Sequence, residues 1–186
     1  LAQGQVAQAL SAYQAHDAVH TFNTQGEAKQ RLLDQWNETR QRHPEQTALI
    51  LAYTRQDVRE LNEQARALRR AVGELGPDYT VQTERGERAF AVNDRVYFLK
   101  RDDALQVVNG TLGTITAIDS ARGVVTVQLE REDLPLAERV VSVDTSQYRQ
   151  LEHGYAATVY KAQGVTVDHA YVLTSGHYDA HSTYVG

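Results

Sequence analysis

The 186-residue sequence contains no cysteine and no methionine, and only three prolines and one tryptophan. Without cysteine there is no disulfide, no thiolate metal site and no cysteine nucleophile, which fits a reducing compartment. No apolar run approaches the eighteen residues that a membrane helix needs. No basic, then apolar, then small-residue leader opens the chain. The missing methionine, absent even at position 1, leads us to expect a fragment or a processed chain. Charge of one sign is also lacking. The net charge is −5, the first 75 residues are balanced, and no basic stripe of the kind that binds duplex DNA by charge alone is present. Also missing are the Gly-x-x-x-x-Gly-Lys-Ser/Thr loop that cradles a nucleotide triphosphate and the Gly-x-Gly-x-x-Gly dinucleotide turn. What remains, 41% hydrophobic and 23% charged residues, is the composition of a globular domain.

The apolar spacing predicts helices and strands in alternation at the start. Residues 1–16 read as a helix, and 18–22 as a short β run. Thr24 with Glu27 three residues on forms a capping-box signature. The helix that follows carries Leu32, Leu33 and Trp36 on one face and ends near Pro44. Residues 47–52 (Thr-Ala-Leu-Ile-Leu-Ala) are the pattern of a buried parallel strand. After Thr54 a second amphipathic helix shows Val58, Leu61, Ala65 and Leu68, and Gly73 or Gly76 stops it. From Tyr79 to about Leu151 the period falls to two, with strands expected at 95–99, 111–118, 124–129 and 139–143. Asn109-Gly110 and the Asp119–Gly123 stretch are turn signals. Residues 154–161 are expected to be helical, 163–166 a turn, 167–173 a buried strand, and a further helix begins near Tyr178. The expected fold class is α/β: a parallel-sheet domain interrupted by a small, five-stranded SH3-like β-barrel.

Few residues suggest metal or acid–base chemistry. His177, Asp179 and His181 are metal-ligand types, but on a helix Asp179 leaves the face shared by the two histidines. Surface polarity is the plainer reading. His153 and His169 are expected to be structural or exposed. Of Tyr97 and Phe98, which alternate faces, at most one is expected to be exposed, with Phe98 in the core. The segment with the most chemistry runs from His153 to Asp168. A glycine at its Gln163-Gly164 turn lets backbone N–H groups approach a phosphate, and Lys161, Gln163 and Thr166 supply donors around it. The alternative is a helix C-cap glycine with polar neighbours.

Thr158-Val159-Tyr160-Lys161-Ala162-Gln163-Gly164-Val165-Thr166 resembles motif V of superfamily 1 helicases of the RecD-like branch, closest to the helicase part of conjugative-transfer relaxases. Leu49 to Arg55 with Val58, Leu61 and Asn62 resembles that family's Thr-Arg-x-x-Val-x-x-Leu-Asn segment. Arg85–Arg88, Asn93–Val96 and Val108–Gly113 resemble the opening of its inserted SH3-like module. The resemblance implies that residues 1–82 and 150–186 form the second RecA-like motor domain, with 83–149 as the insert. It implies ATP and Mg²⁺ as cofactors of the intact parent, with none bound by this chain alone. It further implies single-stranded DNA and the first RecA-like domain of the same parent as partners, no membrane, and a bacterial cytoplasmic location. The Walker motifs belong to the first RecA-like domain, and motif VI would follow Tyr184-Val185-Gly186. The parent would then be an ATP-dependent helicase and this chain inactive alone.

On that pattern Gln163 and Gly164 lie near the γ-phosphate. Arg55 reaches the nucleotide, unless it is a surface arginine at a helix start, and Lys161 links the nucleotide and DNA sites. Thr158, Tyr160, Thr54 and Thr166 contact DNA. Tyr160 replaces the family's usual histidine, and can donate to a phosphate or stack on a base. The rival reading, from another functional class, is a non-catalytic module in which the barrel recruits protein or nucleic acid and the α/β portion is a scaffold.

Overall fold

The computed structural model describes residues 20–131 and 133–174. The expected helices at 1–16 and after Tyr178, and the His177–His181 cluster, lie outside the described residues. The described chain is mixed α/β, with one partly parallel sheet and two antiparallel ones. It divides into two compact units. One comprises described residues 20–61, 157–163 and 167–174; the other comprises Asn62–Ala156 with Gly164–Thr166. The expected insert, 83–149, falls wholly inside the second.

In the first unit, helix α1 spans Gln25–Arg42. Thr24 Oγ1 accepts the Glu27 N–H, and the Glu27 carboxylate takes the Thr24 N–H in return, so the capping box is complete. Leu32, Leu33 and Trp36 are buried as their spacing requires. Strand β1 (Ala48–Ala52) is buried at every position, the signature of a strand covered on both faces. It pairs in parallel with β10 (His169–Leu173), and the sheet order is β10-β1-β9, where β9 is Ala156–Thr158. β10 was expected to be buried throughout. Instead it sits at the sheet edge and only Leu173 is fully buried, because a single neighbouring strand covers it. Asp168 fastens its start: its carboxylate accepts from the Thr47 N–H at 2.7 Å and the Thr47 hydroxyl at 2.9 Å. Residues 20–22, expected to be β, are not in a strand.

Helix α2 spans Arg55–Ala71, with Leu61 and Ala65 fully buried. Gly73 ends it at φ +74°, a left-handed backbone that costs glycine nothing. The Gly73 N–H reaches the Arg70 carbonyl and the Glu74 N–H the Arg69 carbonyl, which together form a Schellman motif.

The second unit is built on strands. β2 (Tyr79–Thr83) and β3 (Gly86–Phe90) form a hairpin. β4 (Arg95–Phe98), β5 (Leu112–Asp119), β6 (Val124–Leu129), β7 (Val140–Asp144) and β8 (Leu151–His153) form an antiparallel sheet of order β7-β6-β5-β4-β8. Five strands are present as expected, but they do not close into a barrel. Among the described residues the edge strands β7 and β8 each pair with one neighbour. The apolar face is covered instead by the hairpin: Val81 and Phe90 share one core with Val96, Phe98, Ile115, Val127, Val143 and Leu151. Both Tyr97 and Phe98 are buried, so neither is available to a partner.

Ion pairs and polar groups lock this unit internally. The Asp94 carboxylate, fully buried, accepts from Arg66 Nε, from the Ala91 N–H and from the Tyr155 hydroxyl at 2.6 Å. Arg95 pairs with Glu130 through two nitrogens, and Arg88 with Glu152. No described helix is long and apolar enough to cross a membrane.

Candidate functional site

Thr54 begins α2 as its cap. Its Oγ1 accepts the Asp57 N–H at 3.0 Å and donates its own proton to Asp57 Oδ2 at 2.6 Å. Asp57 is then met from α1 by Gln25 Nε2 at 3.0 Å and by Lys29 Nζ at 2.7 Å. Lys29 is buried and also pairs with Glu60. Burial works against the lysine's charge, but the two carboxylates outweigh it and hold its pKa above the ordinary value. The Lys29 contact pulls the Glu60 pKa down in turn. This polar knot lies in a concavity of about 1110 Å³ whose lining includes Thr24, Thr54 and Tyr171. Neither Lys29 nor Asp57 was singled out from the sequence. Thr54-x-x-Asp57 has the same layout as the capping signature at Thr24, and that signal could have found it. Any ligand seeking the Thr54 hydroxyl proton would have to win it from Asp57.

The second loop of the site follows β9. Residues 154–161 do not form the expected helix. The chain is extended at Ala156–Thr158 and then turns. Three features favour the strand. Val159 N–H donates to the Ala52 carbonyl at 3.1 Å, adding a ladder bond beside β1. The Asn62 side chain takes the backbone N–H groups of Tyr155 and Ala156 and donates to the Ala156 carbonyl, bonds that a helix would claim for itself. At Gly154 an added Cβ would lie 2.8 Å from the Val96 carbonyl, so the backbone runs flat against β4. Ala156-Ala157 misled because alanine favours a helix when nothing else decides.

The turn is closed by Thr158, whose carbonyl accepts the Lys161 and Ala162 N–H groups at 2.9 and 3.0 Å. Its hydroxyl also accepts the Lys161 N–H, at 3.3 Å, which leaves the hydroxyl proton able to donate outward. Gln163 and Gly164 are exposed, and Gly164 has φ +85° with open space where a side chain would go. The turn at 163–164 is therefore as expected, but it follows a strand and not a helix.

Within the first unit the structure brings together Thr54 and Arg55, directly after β1, and Thr158, Tyr160, Lys161 and Gln163, at and after the end of the neighbouring β9. Arg55 is exposed at the first position of α2. Tyr160, 59% exposed, packs edge-on to Tyr53 with ring centres 5.9 Å apart. Gly164 and Thr166 belong to the second unit, where Thr166 is exposed. His153 is structural: it is buried and donates from Nε2 to the Ala89 carbonyl. His169 contacts Gln46 Oε1 through Nε2. Among the described residues no group of His, Asp and Glu could hold a metal ion.

No family model matches the sequence. Over 185 residues, the whole of this chain, it is 39% identical to the conjugal transfer protein TraA of Rhizobium radiobacter and 37% identical to the probable conjugal transfer protein TraA of Sinorhizobium fredii. The chain spans 16% of the length of each. Among solved structures, Pif1 helicase from Bacteroides in complex with ADP-AlF3 and single-stranded DNA has a TM-score of 0.50 and 18% identity, over 74% of this chain and 37% of that one. At that identity the likeness speaks for the fold alone. The chain is thus similar throughout to one segment of the TraA proteins and shares the fold of the Pif1 helicases, which bears out the resemblance to the superfamily 1 helicase region of a conjugative relaxase.

Proposed function

We propose that this chain is part of the motor of an ATP-dependent DNA helicase serving conjugative transfer, contributing one wall of the ATP cleft and part of the single-stranded DNA track. The carrying observation is the similarity to TraA along the whole chain. The placement of Thr54, Arg55, Thr158, Tyr160, Lys161 and Gln163 around the carboxyl ends of β1 and β9 supports it, because open α/β sheets bind ligands at the carboxyl ends of their strands. Residues 1–82 and 150–186 are the second RecA-like domain, and 83–149 its inserted β module. The first RecA-like domain of the same parent supplies the opposite wall, and the motor works in the bacterial cytoplasm.

Phosphoryl transfer depends on positioned positive charge and donors around the moving phosphate. The Gln163 amide, the Lys161 ammonium and the Arg55 guanidinium are donors of the type that suits phosphate oxygens, and the open backbone at Gly164 permits close approach. When bound, ATP supplies the transferable phosphoryl group. Mg²⁺ fits the described residues less well, since they contain no acidic cluster for it, and its ligands are assigned to the first RecA-like domain. Thr158 donates its free hydroxyl proton to a DNA phosphate. Tyr160 lies beside it, while Thr54 and Thr166 are secondary contacts.

Binding of labelled single-stranded oligonucleotides to this chain at several salt concentrations tests the reading. Two or three phosphate contacts predict weak binding with a log–log salt slope of about −1.4 to −2. The chain should release no phosphate from ATP. Absence of binding at low salt, or ATP hydrolysis abolished by Gln163→Ala in this chain alone, contradicts the proposal.

A further inference from the structure

Among the residues assigned above to phosphate stands an aromatic pair, Tyr53 and Tyr160. Tyr53 directly follows β1 and Tyr160 lies two residues after β9, so both rings rise from the same edge of the sheet. They meet edge to face, at 5.9 Å and 62°. That geometry is favourable for two aromatic quadrupoles and fixes the orientation of each ring. Tyr160 nevertheless remains 59% exposed. A folded protein gains little by holding a large aromatic ring in water.

Each tyrosine is followed closely by a cation: Tyr53-Thr54-Arg55 on one loop and Tyr160-Lys161 on the other. Alternation of ring and positive charge is the pattern that single-stranded nucleic acid requires. Bases stack on the rings, and phosphates meet the cations.

We infer that Tyr160, braced by Tyr53, is a stacking platform for an unpaired nucleobase. The site then grips the base as well as the backbone, without reading its identity, because every base offers a π-face. The inference rests on the DNA-motor reading above, but it adds a ligand group, the base, and a residue, Tyr53. It also decides between the two uses open to the Tyr160 side chain, in favour of the ring over the hydroxyl.

The test uses this 186-residue chain with a labelled oligothymidylate and an abasic strand of equal length and charge. Tyr160→Leu should weaken binding of the oligothymidylate by roughly 5-fold or more, the low end of what one stacked base is worth. Tyr160→Phe should bind like the parent, since the ring remains. Tyr53→Leu should weaken binding in the same direction by a smaller factor, by freeing the Tyr160 ring. On the abasic strand all four proteins should bind alike. If Tyr160→Phe loses as much as Tyr160→Leu, the hydroxyl is the contact and the platform is wrong. If Leu variants lose equally on the abasic strand, or lose nothing on either, it is wrong too, while the DNA reading survives. If the parent chain binds neither strand, the DNA reading itself fails. Circular dichroism of each variant separates these outcomes from loss of fold, and the exposed Tyr160 variants are expected to fold.

Discussion

Asn62 holds Ala156 from both sides: its Oδ1 accepts the Ala156 N–H at 2.9 Å and its Nδ2 donates to the Ala156 carbonyl at 3.0 Å. The same Oδ1 also takes the Tyr155 N–H at 3.0 Å. A side-chain amide from α2 thus satisfies three buried backbone groups where the chain enters β9. Replacing it leaves those groups without partners in a buried site, and each unmet group costs on the order of 1–3 kcal/mol. Asn62→Ala should therefore lower the unfolding free energy by about 3 kcal/mol or more, read as a shift of the urea midpoint. A change under about 1 kcal/mol would mean that water or rearrangement replaces the amide.

Thr54 serves as a helix cap whatever else it does. Thr54→Ala removes the acceptor for the Asp57 N–H and the donor to the Asp57 carboxylate. The expected loss is about 1 kcal/mol, the usual worth of an N-cap, and Thr54→Ser should restore most of it. Thermal melts of both variants check this. If Thr54→Ala melts like the parent, the cap is not what the threonine provides.

His153 predicts a pH dependence. Burial lowers its pKa from the ordinary 6.5, against the pull of the Asp94 carboxylate and with the Arg66 guanidinium assisting. In the unfolded chain the imidazole protonates as pH falls through about 6.5. In the fold it does so only at lower pH, so in that window the unfolded state binds more protons. Stability is then present above pH 6.5 and is lost as pH falls below it. Urea midpoints measured from pH 7.5 down to 5 should decline, and His153→Leu should flatten that slope whatever it does to the absolute value. An unchanged slope in the variant would place the titration elsewhere.

Much of this architecture can be read from the sequence where one local rule acts alone. The capping box at Thr24, the unbroken apolar run of β1, the stop at Gly73 and the alternating runs of β4 to β7 each have a single physical cause, and each is found. Reading fails where distant partners decide. Ala156 to Thr158 is a strand because Asn62 bonds Ala156, Ala52 bonds Val159, and Gly154 just before it lies flat against Val96, and none of these partners is a neighbour in sequence. The open sheet replaces the expected barrel because the β2–β3 hairpin supplies apolar cover from outside the five strands. In the candidate site, the Gln163-Gly164 turn and the exposed Tyr160 were legible as a motif. The Lys29–Asp57 pair was not, since it joins two helices whose relative packing no periodicity encodes.

A strand at β9 in place of a helix also changes how Thr158 should behave. As part of a helix face it would have been dispensable for folding. As the residue whose carbonyl and hydroxyl close the turn on Lys161 and Ala162, it is partly structural. Thr158→Ala keeps the carbonyl bonds and loses the hydroxyl. It should weaken single-stranded DNA binding by about 0.5–1.5 kcal/mol, the net worth of one hydrogen bond, with a melting temperature lowered by only a few degrees. Fluorescence anisotropy beside a thermal melt separates the two effects, and a large loss of stability with unchanged affinity would assign Thr158 to the turn alone.

If the exposed turn at Gln163 belongs to a motor's nucleotide cleft, one rate must depend on it. It is the rate of DNA-stimulated ATP hydrolysis by a full-length TraA whose matching segment is replaced by this chain, with and without Gln163→Ala. The substitution should abolish most of the stimulated rate, leave single-stranded DNA binding nearly unchanged, and leave the melting temperature of the chain itself where it was, because the Gln163 side chain is exposed. An unimpaired rate, or a melting temperature lowered by many degrees, would show that the turn is architecture and not part of the cleft.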